Sequence, residues 1–331
     1  MEENTNTKFL SVEDIEVVYT SGGSIIHAVN GVSFDLEKGE TLGLVGETGA
    51  GKTTIARTIL GILPDPPAKV LGGKVLLNGE DLLTKSEDEM LHIRGDKIAM
   101  IFQDPMTALN PLMTVGDQIA EALLLHNDYS QAEAVAKTKE MLEMVGIPGG
   151  RYMEYPHQFS GGMKQRVVIA MALSCQPDLV LADEPTTALD VTIQAQVLDL
   201  IRDLQEQYQT AMILITHDLG VVAQTCNKVA VIYAGKIVEY GNLEDLFDHP
   251  FHPYTLGLFG SLPDIEKDEP RLHPIDGMPP DPSNLPEGCS FAPRCKYATE
   301  ACRRGEIPAV ELSPGHLCRC VRGADSQEGV E

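Results

Sequence analysis

No part of this sequence is apolar for long. Its longest runs, such as Met212-Ile213-Leu214-Ile215 and Val229-Ala230-Val231-Ile232, fall far short of the roughly 18 to 20 residues that a membrane-crossing helix needs. A secretory leader is not expected either, because Met1 to Lys8 is polar and acidic. Basic residues are scarce: 25 Lys and Arg stand against 49 Asp and Glu, a formal net charge of -24. That balance repels phosphate backbones and argues against general nucleic-acid binding, and its ordinary role is solubility. Cysteine pairs of the C-x2-C kind are absent, which removes the usual spacing of a structural zinc site. What remains is a chain of 331 residues, 43% hydrophobic and 22% charged, long enough for a sizeable core and two or three domains.

The most informative stretch is Gly46-Glu47-Thr48-Gly49-Ala50-Gly51-Lys52-Thr53, between the apolar Thr41-Leu42-Gly43-Leu44-Val45 and the helix-compatible Ile55-Ala56-Arg57-Thr58-Ile59-Leu60. This is the G-x-x-x-x-G-K-[ST] phosphate loop in its setting of strand, loop and helix. Glycines let several N–H groups converge on phosphate oxygens at the positive end of a helix. Lys52 adds a full charge there, and the Thr53 hydroxyl can ligate Mg²⁺.

Upstream, short apolar runs from Phe9 to Phe34 around Ser21-Gly22-Gly23-Ser24 predict antiparallel strands. Tyr19 stands where an aromatic ring could stack on an adenine or simply pack. Downstream, the Pro- and Gly-rich Gly61 to Gly73 predicts a loop, followed by a strand from Gly73 that ends in the Asn78-Gly79 turn. Gln103 ends the apolar Ile98 to Phe102 and can offer its amide oxygen to Mg²⁺ or water. Residues 104 to about 172 show helical periodicity and read as an insertion. Near its end, Phe159-Ser160-Gly161-Gly162-Met163 predicts a helix capped by Ser160 with exposed N–H groups, a second anion site. The apolar run from Leu179 then delivers Asp183 and Glu184 at a strand end, suited to holding Mg²⁺ and polarising attacking water. After an amphipathic helix over about Val191 to Tyr208, His217 closes another strand and could donate to a γ-phosphate.

In this order, the elements from about Phe9 to Leu258 resemble the nucleotide-binding subunit of an ABC transporter. The resemblance covers Tyr19 as the aromatic stacking position, the phosphate loop, Gln103 as the Q-loop, Ser160-Gly161-Gly162 as the signature, Asp183 and Glu184 as the Walker B pair, Ala188-Leu189-Asp190 as the D-loop and His217 as the H-loop. It implies catalytic roles for Glu184, His217 and Gln103. ATP would be bound by Tyr19, Gly46, Glu47, Thr48, Gly49, Ala50, Gly51, Lys52, Thr53, Thr54, Ser160, Gly161, Gly162, Asp183 and Asp190, and Mg²⁺ by Thr53, Gln103 and Asp183. The signature departs from the commonest form by carrying Phe159 and Met163 in place of Leu and Gln. Gln103 to Pro111, Tyr155 to Met163, His252-Pro253-Tyr254-Thr255 and the cysteine-rich tail are similar to the dipeptide/oligopeptide importer branch, and within it to the first of two ATPase subunits. The implied partners are a second, related ATPase or a second copy of this chain, two transmembrane permease subunits and an extracytoplasmic binding protein, with this chain peripheral on the cytoplasmic face of the membrane. Nickel or another small solute as cargo, and a soluble ABC ATPase not coupled to transport, are the alternatives.

The expected fold is therefore α/β: a phosphate-loop ATPase core of the ABC type with an antiparallel β subdomain, a helical insertion and an irregular C-terminal cysteine-rich extension. The expected boundaries are 8–260 for the ATP-binding domain, with its helical subdomain at about 104–172, and 261–331 for the extension. Of seven cysteines, Cys175 and Cys226 are isolated, while Cys289, Cys295, Cys302, Cys318 and Cys320 crowd the tail. In a cytosolic ATPase such crowding suggests a metal centre before disulfides. The branch resemblance implies a [4Fe-4S] cluster on Cys289, Cys295, Cys302 and Cys320, with Cys320 ending an H-x-x-x-C pattern that starts at His316; zinc, free thiols or oxidation-dependent bridges stay open.

Overall fold

The computed structural model describes residues 8–186, 190–260 and 275–323. The D-loop residues Ala188 and Leu189, the first part of the Pro-rich segment after Leu262 and the acidic end after Gly323 lie outside the described residues. The chain forms two compact units, one holding 8–36, 42–83 and 216 onward, the other 37–41 and 84–215.

In the first unit, an antiparallel sheet runs in the order Ser24–Leu36, Leu10–Ser21, Ala68–Leu77, Glu80–Asp81. Its hairpins turn at Gly22-Gly23 and at Asn78-Gly79, all four residues with positive φ, as tight hairpins of right-handed twist require. The loop expected over Gly61 to Gly73 is shorter than its composition suggests. Residues 68–73 already belong to a strand, with Tyr19 opposite Ala68 and Val17 opposite Val70. Register breaks around Glu16 absorb Gly72 and Gly73, so the glycines mark bulges inside a paired strand.

A second set of strands in this unit places the phosphate loop. Thr41–Val45, buried throughout, pairs in parallel with Lys228–Tyr233, Leu44 opposite Ala230, and Lys228–Tyr233 pairs antiparallel with Lys236–Asn242. The extension is more regular than expected. Val310–Ser313 and His316–Cys318 form a hairpin whose second strand adds to Lys236–Asn242, Glu239 opposite Cys318 and Tyr240 opposite Leu317. The Ser313-Pro314-Gly315 sequence supplies its turn, Gly315 having φ 81. A buried acid fixes this addition: Glu239, 0% exposed, accepts the N–H groups of Phe251 at 2.8 Å and His252 at 2.9 Å, and lies 2.8 Å from His316 Nε2.

In the second unit, Ile98–Ile101, Leu179–Asp183 and Ala211–Ile215 run parallel, Leu179 opposite Ala211 and Ile98 opposite Leu179. All three are buried along their length, which is why they read as unbroken apolar runs. The insertion holds the helices Val115–His126, Gln131–Met144 and Gly161–Leu173. Thr114 caps the first, and a Ser130–Glu133 capping box opens the second. Val191–Tyr208 forms the long helix that the periodicity predicts.

Candidate nucleotide site

The phosphate loop leaves the buried strand Thr41–Val45 and ends at Gly51, the left-handed N-cap of the helix Lys52–Leu60. Two of its glycines are required by contact. A Cβ on Gly46 would stand 2.1 Å from the Ile232 carbonyl oxygen, and one on Gly51 2.4 Å from that of Ala28, distances no side chain tolerates. Lys52, 7% exposed, donates to the carbonyls of Gly46 at 2.7 Å and Glu47 at 3.0 Å. Its ammonium thus sits inside the curl of the loop, at the positive end of the helix. Tyr19 Oη lies 3.4 Å from Thr54 Oγ1, which brings the aromatic stacking candidate to the first turn of that helix. His217, also in this unit, is exposed and directly precedes Asp218, the cap of Leu219–Thr225.

The second unit carries the acids. Asp183 ends its strand at 4% exposure. Glu184, the next residue, takes φ 48, an unfavourable conformation for a residue with a side chain, of the kind that clusters at functional sites. Its N–H donates to the Ile215 carbonyl at 2.8 Å, and its Oε2 accepts from Gln103 Nε2 at 2.7 Å. Two strand-end residues 81 positions apart, singled out separately in the sequence, therefore meet. Asp190 accepts the N–H of Ile193 at 3.0 Å and caps Val191–Tyr208.

The signature segment stands at another helix terminus in the same unit. Ser160 caps Gly161–Leu173, its hydroxyl accepting from the Met163 N–H, and Ser160 and Gly161 are exposed. A Cβ on Gly162 would come within 2.7 Å of Ile193, so this glycine allows two helices to approach. Phe159 and Met163, the departures from the common signature, share one neighbour. The Arg151 guanidinium lies 4.2 Å over the Phe159 ring and 3.5 Å from the Met163 sulfur, and is held by Glu154 at 2.8 Å. The Phe159 ring gives the guanidinium a cation–π face that a Leu would not, and the Met163 thioether is a weak acceptor beside it.

In the tail, Cys289, Cys295, Cys302 and Cys320 line one cleft, with His252, Phe291, Tyr297, Arg319 and Arg322. Cys318 is not on it; it lies buried in the strand beside Glu239. Burial pushes the thiols of Cys289, Cys295 and Cys320 above their ordinary range, and in each case neighbouring cysteines add to the rise. Among the described residues no group of three or more His, Cys, Asp or Glu is gathered closely enough to hold a metal ion. The expected metal centre is therefore not preformed. The donor set nevertheless fits an iron–sulfur group in its chemistry, four thiols on one apolar cleft with two arginines to offset thiolate charge. His316 bonds to Glu239, so it anchors the hairpin that leads to Cys320.

Sequence reasoning missed Arg151 and Arg294. Arg294 directly precedes Cys295 in the tail, and its guanidinium forms a two-pronged ion pair with Glu47 of the phosphate loop at 2.8 and 3.0 Å.

These features define a phosphate-loop ATPase of the ABC class, and residues 29–187 match the ABC transporter family model. Residues 238–302 match a second model, the oligopeptide/dipeptide transporter C-terminal region. The chain is 53% identical to the dipeptide transport ATP-binding protein DppD of Bacillus subtilis, over 95% of this chain and 94% of that protein. It is 47% identical to the oligopeptide transport ATP-binding protein OppD of Escherichia coli, over 95% and 93%. The chain belongs to this family of ABC transporter ATP-binding subunits and is an ATPase. Its fold matches that of a dimeric ATP-binding cassette solved in a post-hydrolysis state with ADP and Pi, 28% identical, TM-score 0.64, covering 71% of this chain and 98% of that one. No helix among the described residues is long and apolar enough to cross a membrane.

Proposed function

We propose that this chain hydrolyses Mg-ATP to drive import of dipeptides or oligopeptides through a pore built by two permease subunits. An extracytoplasmic protein delivers the cargo, and a second, related ATPase completes the pair at the cytoplasmic face of the membrane. The observation that carries this is the 53% identity to a dipeptide-transport ATPase across 95% of the chain, phosphate loop and tail included. We take 8–260 as the ATP-binding domain and 261–331 as the extension. Lys52 and the loop amides hold the phosphates, with Thr53, Gln103 and Asp183 serving Mg²⁺, Tyr19 the adenine and His217 the γ-phosphate. Glu184 orients and deprotonates the attacking water. Ser160, Gly161 and Gly162 cover the nucleotide held by the partner ATPase, with Asp190 at the same seam. Exposed Met106, Leu112, Met153 and Tyr155 give the insertion an apolar surface suited to the permeases. Cys289, Cys295, Cys302 and Cys320 would hold a [4Fe-4S] cluster as a structural clamp, supported by their common cleft.

The test is Glu184→Gln in the reconstituted transporter. The amide keeps the side chain's shape and its acceptor toward Gln103, so ATP binding persists while turnover falls by about 10² to 10⁴, the contribution of a general base. Peptide-stimulated ATPase in the parent and its loss in the variant support the assignment; turnover at the parent rate refutes it. Iron and sulfide assays on the purified chain test the cluster, and zinc found without sulfide would replace it.

A further inference from the structure

Glu47 is the second residue of the phosphate loop, and it is held from two directions, by Arg294 of the tail and by Tyr254. Its carboxylate takes both prongs of Arg294, Nη1 to Oε2 at 2.8 Å and Nη2 to Oε1 at 3.0 Å. Its N–H donates to Tyr254 Oη at 2.9 Å. Arg294 is itself fixed: Nε donates to the Asp276 carbonyl at 2.9 Å, Nη2 to that of Ile275 at 3.3 Å and Nη1 to Tyr233 Oη at 3.2 Å. Its side chain is only 5% exposed and lies beside the rings of Tyr233 and Phe291, each 5.8 Å away. The Glu47 carbonyl in turn receives Lys52 Nζ. A continuous set of bonds therefore runs from the cysteine segment to the lysine of the phosphate loop. A buried, two-pronged and fully bonded arginine fixes the geometry of the loop residue it holds.

We propose that Arg294 is a positioning residue for the nucleotide, locking Glu47 so that the phosphate loop is curled before ATP arrives and the cysteine segment thereby sets ATP affinity. Ordering backbone residues on binding opposes binding. A loop already ordered spares ATP that cost, so breaking the pair weakens binding about tenfold. This rests on the loop's binding of ATP, which the parent protein tests separately.

The experiment measures Kd for a fluorescent ATP analogue with Mg²⁺ on the full chain, and KM and kcat on the assembled transporter, for Arg294→Gln, Glu47→Gln, their double variant and Arg294→Lys. Each Gln variant is expected to raise Kd about tenfold, with the loss falling more on KM than on kcat. The double variant should be no weaker than either single one, because both remove the same bond. Arg294→Lys should fall between, since an ammonium cannot reproduce the fork. A purely structural role would lower Tm and leave the folded fraction's Kd unchanged, and that result overturns the proposal, as does an additive double variant. Should Arg294→Gln fail to fold, Glu47→Gln decides alone, and a parent-like Kd overturns it. A parent that binds no nucleotide would instead sink the ATPase reading.

Discussion

Replacing His316 by Ala tests how the tail is attached to the ATPase. Glu239 is fully buried, and His316 Nε2 lies 2.8 Å from its carboxyl group, beside the amides of Phe251 and His252 that donate to it. His316→Ala leaves a buried carboxyl group with one partner fewer. Leaving a buried polar group without its partner costs about 1 to 3 kcal/mol, and the imidazole also leaves a cavity beside Leu246, which packs on the same strand end. The sum falls within the roughly 3 to 5 kcal/mol found when one partner of a buried pair is removed. Urea unfolding followed by circular dichroism reads the total; the chain has no tryptophan to report instead. Amide exchange reads the place: the Arg319 N–H, bonded to the Val238 carbonyl at 2.8 Å, should exchange about 10² to 10³ times faster as the hairpin lifts. A His316→Ala protein within about 0.5 kcal/mol of the parent, the range of an inconsequential surface change, refutes this account of the hairpin.

Gly46→Ala forces a Cβ to 2.1 Å from the Ile232 oxygen at φ 151; loss of at least about 3 kcal/mol in urea unfolding and of ATP-analogue binding is expected. Phe159→Leu removes the ring under Arg151 and should cost about 1 kcal/mol, with Met163→Gln adding to it less than independently because both touch one guanidinium. Burial pushes the Cys226 thiol up to about 12, so iodoacetamide at pH 8 should leave it unlabelled in the native chain and label it in urea, read by mass spectrometry. Because the folded chain holds this proton more tightly than the unfolded one, its contribution is complete below the ordinary thiol pKa of 9.0 and is lost as pH rises toward 12. Cys226→Ala should therefore flatten the alkaline fall in stability.

The phosphate loop, the Ser160 cap and the Asp183-Glu184 pair were legible because each is a contiguous string whose chemistry is local: converging amides, a capped helix start, carboxylates at a strand end. Gln103 was legible as a strand-end residue, but its bond to Glu184 follows from parallel strand order. Composition misled where pairing decided. Gly72 and Gly73 look like loop residues and lie in a strand because Leu10–Ser21 supplies a partner on that side. The tail's proline and cysteine content hid a hairpin whose register is fixed by Glu239, an acid that looks solvent-facing until three partners converge on it. Arg294 was missed for another reason: 247 positions separate it from Glu47, and nothing in either string announces the other.

That separation bears on how the tail stays attached to the nucleotide-binding unit. A hairpin held only by strand edges could peel away at little cost to the phosphate loop, because edge pairing is local. Arg294 changes this. Its carboxylate partner belongs to the loop, its other donors bond to Asp276, Ile275 and Tyr233, and Cys295 is its chain neighbour, so the cysteine segment cannot shift without either dragging Glu47 or stranding a buried guanidinium. Stranding costs several kcal/mol, a large part of a domain's whole margin of about 5 to 15 kcal/mol. The cysteine segment and the phosphate loop are therefore expected to order and loosen together, and the Glu47–Arg294 pair is where that dependence can be cut without touching either the cysteines or Lys52.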